Sequence, residues 1–298
     1  MMFNNLFKNK WMHFLMICSV VTLMTSCGDD DDGTSPEEEF MPEEKMYTMH
    51  EADVEGISGT LTMTENEDGS TTVTIALDGV PSGAAESHPA HIHFGPAAEG
   101  GGIAVTLEPV DNETGMSETV VTETDDGEEL SYSDLEMYDG YVNVHLSMED
   151  LATIVAQADI GANALTGEYK TYPLEAADVD NVSGTAKFSE RENGSTLVEI
   201  MVEGDVVTGD HPTHIHEGSV GDNGDIAFPL SDVNAEGMSV THIPTDEIEY
   251  SDLIMYDGYI NVHASADDLA TIVVEGNIGV NAENGNGDYS NNDNGNGY

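Results

Sequence analysis

The chain contains two copies of one long sequence unit, and this duplication limits the folds that it can adopt. Residues 47–77 align with residues 172–202, and Tyr132-Ser-Asp-Leu-Glu-Met-Tyr-Asp-Gly-Tyr141 aligns with Tyr250-Ser-Asp-Leu-Ile-Met-Tyr-Asp-Gly-Tyr259. Each copy is far longer than the repeat of a solenoid and long enough to bury a core of its own. The copies therefore predict two tandem domains, over residues 46–170 and 171–282.

Each copy carries four histidines in the same frame. The first has His88-Pro-Ala-His91-Ile-His93 and later Tyr141-Val-Asn-Val-His145. The second has His211-Pro-Thr-His214-Ile-His216 and later Tyr259-Ile-Asn-Val-His263. Residues i and i+2 of a strand share a face, so the two imidazoles of each His-x-His can chelate one ion. The alternative is that these side chains only hydrogen-bond their surroundings, as relics of an older site.

The apolar pattern predicts an all-β fold of antiparallel sandwiches. Thr71-Thr-Val-Thr-Ile-Ala-Leu77 alternates polar and apolar residues as a half-buried strand does, and Glu67-Asp-Gly-Ser70 is typical of a hairpin turn. If Val142 and Val144 face the core, His145 faces outward, as do the His-x-His pairs, and loops must cover them. Two segments, Ser133-Asp-Leu135 and residues 149–155, are expected to form short capped helical turns.

The first 45 residues predict export rather than structure. Lys8 and Lys10 precede an apolar stretch, and Leu23-Met-Thr-Ser-Cys27 resembles a lipobox, so residues 1–26 are predicted to be a lipoprotein signal peptide with Cys27 as the lipid attachment site. An ordinary secretory signal is the alternative. Residues 27–45 are predicted to form an acidic tether, and the Asn/Gly-rich residues 283–298 are predicted to be disordered. The aspartate run after Cys27 resembles the surface-export signal of some Gram-negative lipoproteins, which implies anchoring in the bacterial envelope, at the outer membrane and facing outward.

The charge balance is strongly acidic. All 59 carboxylates follow Cys27 and are opposed only by Lys45, Lys170, Lys187 and Arg191, which leaves 4 − 59 = −55 after cleavage. Such a chain repels nucleic acid and attracts cations. Solubility outside the cell explains most of this charge.

Several motifs resemble the CHRD domain family. They are Gly-Thr-x-x-(Phe/Met), an Asn/Asp-Gly turn, His-Pro-x-His-Ile-His-x-Gly and Gly-Tyr-(Val/Ile)-Asn-Val-His, and they recur in both copies. The segment Gly167-Glu168-Tyr169 resembles the closing strand of that family without its arginine, whereas the second copy has only polar tail sequence at that point. The resemblance implies a tandem pair of sandwiches with a binding or interaction role.

A more distant similarity is to copper/zinc superoxide dismutase. The stretch from Val182-Ser-Gly-Thr to His214-Ile-His216-Glu-Gly resembles its opening, and Val262-His263-Ala-Ser-Ala resembles its later copper-ligand strand. This similarity implies a Greek-key sandwich and one copper or zinc ion per copy. The implied ligands are His91, His93 and His145 in the first copy and His214, His216 and His263 in the second. His88 and His211 are expected in loops just before the strand and are candidates for an auxiliary role.

The departures from the dismutase disfavour that activity. No histidine lies between His93 and His145, and only His242 intervenes in the second copy. Neither lysine nor arginine occurs in residues 88–145 or 211–263, so nothing there attracts an anionic substrate. We therefore favour a membrane-anchored binding protein whose partners include metal cations and exclude nucleic acid, with protein partners unknown. The alternatives are a copper-dependent, dismutase-like oxidoreductase and a metal-free surface spacer.

Overall fold

The computed structural model describes residues 40–80, 86–204 and 209–282. Its described part is built from two antiparallel sheets of eight strands each, with two short helices. The first sheet and its helix comprise β1 (Glu44–Glu51), β2 (Ser58–Glu65), β3 (Thr71–Asp78), β4 (Ser87–Phe94), β5 (Ile103–Asp111), β6 (Met116–Val121), α1 (Tyr132–Glu136), β7 (Asp139–Ser147) and β8 (Asp150–Gly161).

The second sheet repeats this series. It comprises β9 (Leu165–Ala176), β10 (Val182–Arg191), β11 (Thr196–Gly204), β12 (His211–Glu217), β13 (Ile226–Val233), β14 (Met238–Ile243), α2 (Tyr250–Leu253), β15 (Asp257–Ser265) and β16 (Asp268–Gly279).

Both sheets follow the same Greek-key path. The strand orders are β5-β4-β7-β8-β1-β2-β3-β6 and β13-β12-β15-β16-β9-β10-β11-β14. Non-consecutive neighbours such as β3 and β6, or β4 and β7, mark the crossovers that fold each sheet over its own core. The predicted all-β fold with two tandem antiparallel domains is thus confirmed.

Period-two alternation produces these strands. In β3, Val73 and Ile75 are buried while Thr72 and Thr74 are half-buried on the other face. The turn before β3 places Gly69 at φ +83°, a conformation that favours glycine, as the hairpin prediction required. Each sheet then closes around a separate apolar core, so the two copies do not share one.

The two expected helical turns have different outcomes. Ser131 caps α1 through a capping box with Asp134, which confirms the turn at residues 133–135. The turn expected over residues 149–155 is wrong, because these residues enter β8 and pair with β7. The Asp150 carboxylate accepts hydrogen bonds from the Thr153 amide and hydroxyl, a local pattern that imitates a helix cap at the start of a strand.

Strand β9 spans the junction expected between residues 170 and 171. Its residues pair with β10 from Leu165 onward, so the two sheets divide before Leu165. Gly167-Glu168-Tyr169 consequently lies in the first strand of the second sheet rather than closing the first. The second sheet also has eight strands and ends with β16, while the polar segment that aligns with Gly167-Glu168-Tyr169 lies outside the described residues.

A buried ion pair joins the two sheets. Arg191 at the end of β10 donates from Nη2 to Asp159 Oδ2 on β8 at 2.9 Å, and the side chains are 0% and 13% exposed. Next to this pair, the backbone N–H of Asn193 donates to the Ala162 carbonyl at 2.9 Å. The second copy has Asn277 where the first has Asp159. Asn277 Oδ1 accepts from the Val220 amide as Asp159 Oδ1 accepts from the Ala97 amide.

No helix among the described residues is long and apolar enough to cross a membrane. The expected signal peptide over residues 1–26, Cys27 and the tether up to residue 39, and the tail over residues 283–298 lie outside the described part of the chain.

Candidate metal centres

The strand pairing brings the three histidines of each copy together. On β4, Ile92 is fully buried in the core, so His91 and His93 project from the opposite face. Strand β7 pairs with β4 so that His93 lies opposite Tyr141. His145 lies two residues beyond Asn143, which pairs with His91, and so projects from the same face as the pair. Strands β12 and β15 repeat this arrangement with His214, His216 and His263.

The resulting clusters have metal-site dimensions. In the first triad the ring centroids of His91 and His145 are 5.0 Å apart, and those of His91 and His93 are 5.8 Å apart. Within each triad, one ligand atom from each residue lies within 4.8 Å of the others. The two sets of three implied ligands are therefore assembled as the sequence predicted.

Loops cover the outward-facing imidazoles, as expected. His91, His93 and His145 are only 9%, 7% and 6% exposed. The loop of residues 95–102 contacts the first triad through the Gly101 carbonyl, and the loop of residues 218–225 contacts the second through the Gly224 carbonyl. In the sequence, only the glycines of these segments indicated that they form loops.

Backbone carbonyls fix the orientation of two rings in each triad. His93 Nδ1 lies 3.0 Å from the Gly101 carbonyl and His145 Nδ1 lies 2.7 Å from the Leu151 carbonyl. A carbonyl can only accept, so each Nδ1 carries the proton and each Nε2 presents a lone pair. In the second copy, Gly224 and Leu269 hold His216 and His263 in the same way, at 3.0 and 2.8 Å.

Several other ring nitrogens of the triads are buried without a hydrogen-bond partner. In the first triad these atoms are His91 Nδ1, His93 Nε2 and His145 Nε2; in the second they include His214 Nδ1 and His216 Nε2. Leaving a buried polar atom unpaired costs about 1–3 kcal/mol, so several at one place require an explanation. A cation bound by their lone pairs would supply the missing interactions.

Burial also favours the neutral form of four of these imidazoles, those of His91, His145, His214 and His263. It lowers the pKa of His91, and the adjacent His145 and His93 rings lower it further, while Asp125 acts in the opposite direction. Burial likewise lowers the pKa of His145, although its hydrogen bond to the Leu151 carbonyl opposes the change. In the second triad the pKa values of His214 and His263 are lowered, again chiefly by burial. Neutral imidazole is the form that coordinates metal.

His88 and His211 are placed differently from the expectation. Both are fully buried, His88 within β4 and His211 at the first position of β12, rather than in loops before the strands. Neither belongs to a triad. His88 Nδ1 lies 3.2 Å from the carbonyl of His145, and His211 Nδ1 lies 3.0 Å from that of His263. Each therefore supports the backbone of the third triad histidine rather than facing the centre.

Residues 47–150 match the family model of the CHRD domain. The matched segment contains the whole first triad and ends just after β7. Comparison with curated proteins and with solved structures gave no match. The CHRD match agrees with the resemblance drawn from the histidine motifs of the first copy.

The lowered histidine pKa values predict that the metal-free protein loses stability in mild acid. A folded-state pKa below the ordinary value of about 6.5 means that the unfolded chain binds protons that the fold does not. The free energy of unfolding should thus be highest above about pH 6.5 and decrease as the pH falls toward 5. Urea unfolding at several pH values measures this. A His91→Gln/His214→Gln variant should show a flatter profile, and identical profiles would contradict the prediction.

Proposed function

We propose that this protein is an exported, lipid-anchored metal-binding protein in which each of two CHRD-type domains holds one copper or zinc ion. The observation that carries the proposal is the convergence of buried, unpaired ring nitrogens in each triad. The CHRD match supports a binding or interaction role for the first domain. The same strand order and histidine frame support extending it to the second.

The donor set fits both metals. Imidazole nitrogen is a good ligand for copper and zinc, and three such ligands leave one position for water or another ligand. In the first domain His93 and His145 would coordinate through Nε2, because their Nδ1 atoms are bound to carbonyls, and His91 through its unpaired Nδ1. A bound copper ion would also supply redox chemistry.

The surroundings favour binding over turnover. Each described cluster has three histidines and no fourth His, Cys, Asp or Glu ligand that would bridge to a second metal. The charges that act on His91 and His214 from outside the triads are Asp125 and Asp232, both acidic. Acidic surroundings attract metal cations and repel superoxide. We therefore place copper-dependent oxidoreductase activity second.

Metal titration tests the proposed function. The purified full-length chain, stripped with chelator, should take up close to two equivalents of Cu²⁺ or Zn²⁺ in competition with a chromophoric chelator. No uptake would overturn the proposal in favour of a metal-free spacer. Uptake that survives loss of all six triad histidines would move the site to the carboxylates, and fast consumption of superoxide by the loaded protein would favour the enzyme.

The anchor proposed at Cys27 gives a separate prediction. Cys27→Ser should abolish incorporation of labelled fatty acid and move the protein from the membrane fraction to the soluble fraction, since the acyl chains would be its membrane attachment. Cys18→Ser serves as the matched control and should leave both unchanged. Labelling that persists in Cys27→Ser would refute the lipid anchor.

A further inference from the structure

A tyrosine stacks on one ligand ring in each triad. The Tyr141 ring lies 4.8 Å from the His93 ring, centroid to centroid, with 13° between their planes. Tyr259 lies on His216 in the same way, at 5.1 Å and 20°. Both tyrosines are almost fully buried, at 4% and 3% exposure. Each imidazole is thus held against a flat, immobile surface.

The same tyrosines contact the glycine that orients the stacked histidine. In the second copy the Gly224 amide donates to the Tyr259 hydroxyl at 3.2 Å, while the Gly224 carbonyl accepts from His216 Nδ1 at 3.0 Å. In the first copy burial raises the pKa of Tyr141, and a hydrogen bond from the Gly101 backbone to its hydroxyl opposes this rise. In both copies the tyrosine therefore contacts the glycine and the histidine, and the glycine contacts the same histidine.

Only glycine fits at the positions of Gly101 and Gly224. A Cβ atom on Gly101 would lie 1.8 Å from the Phe94 carbonyl oxygen, and one on Gly224 would lie 1.8 Å from that of Glu217. The backbone of the loop must approach β4 or β12 this closely for its carbonyl to reach the histidine. The contact is thus available only while the glycine is present.

The loop next to the triad differs in sequence between the two copies, except at the glycines that make these contacts and at the turn glycine. Residues 94–102 read Phe-Gly-Pro-Ala-Ala-Glu-Gly-Gly-Gly, and residues 217–225 read Glu-Gly-Ser-Val-Gly-Asp-Asn-Gly-Asp. Identity is limited to the turn glycines Gly95 and Gly218 and to Gly101 and Gly224. The stacked tyrosine is also identical in both copies.

We infer that Tyr141 and Tyr259 are positioning residues that, through Gly101 and Gly224, hold His93 and His216 with Nδ1 protonated and Nε2 facing the metal. This inference rests on the proposed function and specifies how each site selects its ligand atom. The hydroxyl fixes the glycine peptide, the peptide carbonyl fixes the tautomer, and the phenol ring fixes the imidazole plane. Partners of this kind are worth about 10–100-fold in metal affinity.

The test uses a His216→Ala background, in which only the first triad is complete. Adding Tyr141→Phe keeps the stacking ring and removes the hydroxyl, and should weaken Zn²⁺ binding about 10-fold. Adding Tyr141→Leu removes both contacts and should weaken binding toward 100-fold. Tyr138→Phe is the matched control, because the Tyr138 hydroxyl is buried without a hydrogen-bond partner and should be dispensable for binding.

A metal-free measurement separates this inference from the proposed function. Nitrogen-15 NMR of the wild-type imidazoles without metal should show His93 locked with Nδ1 protonated, and Tyr141→Phe should let the other tautomer appear. A residue that only stabilised the fold would lower the melting temperature without changing the tautomer. An unchanged tautomer in Tyr141→Phe overturns the positioning role whether or not metal binds, whereas absence of metal uptake by the wild type overturns the proposed function and, with it, the orientation of Nε2 toward a metal.

Discussion

Alanine in place of His93 is expected to remove metal binding from the first domain and leave the second domain's site intact. Losing one of three ligands should weaken that site by more than the roughly 100-fold attributed to ligand-supporting residues. His216→Ala should do the same in the second domain, so each variant should retain close to one equivalent. Competition with a chelator of known affinity measures both the stoichiometry and the affinity.

The controls for this experiment lie in the same chain. His50 is exposed on β1 and outside both triads, so His50→Ala should retain two equivalents. Both triad variants should stay folded, because the side chains they lose project away from the apolar core, toward the covering loops. If His93→Ala still bound two equivalents, the first triad would not be a metal site.

Replacing Arg191 by methionine is expected to destabilise the protein by about 3–5 kcal/mol, because it leaves Asp159 buried without its partner. Asp159→Asn should cost a similar amount by leaving Arg191 unpaired, while its amide oxygen can still accept from the Ala97 amide. Burial raises the pKa of Asp159 and lowers that of Arg191, so for each partner desolvation outweighs the attraction between them. The pair therefore adds little to stability beyond what an apolar contact would give.

The double variant tests whether the two side chains contribute independently to the free energy of unfolding. Arg191→Met combined with Asp159→Asn removes both charges and should recover most of the stability lost in either single variant. Urea unfolding of the four proteins gives the coupling free energy. Lys187→Met is a suitable control, since its ion pair with Glu199 is about 40% exposed and exposed pairs contribute little. Losses that simply add would show that the two side chains act independently.

The sequence predicted the strands around the histidines because polar and apolar residues alternate in His91-Ile92-His93 and in Val142-Asn143-Val144-His145. Ile92, Val142 and Val144 all point into the core, which leaves the imidazoles on the outer face. The error at residues 149–155 arose because Asp150 and Thr153 form a short-range hydrogen bond that occurs both at helix starts and in strands. In the structure, pairing with β7 decided between the two.

Other parts of the candidate site could not be read from residue types. The groups that orient the imidazoles are carbonyls of Gly101 and Leu151, and every residue has a carbonyl, so only the folded path of the loop identifies them. His88 and His211 carry the same side chain as the proposed ligands, yet strand register directs them to a backbone oxygen. Arg191 was visible as an isolated arginine, but its partner lies in the other sheet.

The ion pair that links the two sheets can form only once along this chain. In the first domain the position that aligns with Arg191 is Asn66, and in the second the position of Asp159 is Asn277. The first domain therefore lacks the arginine, and the second domain lacks the aspartate, that a further ion pair of this kind would need. A head-to-tail contact that repeated itself would build an open filament of molecules. With asparagine at both aligned positions, a neighbouring copy of the chain would meet neither the arginine nor the aspartate that this ion pair needs.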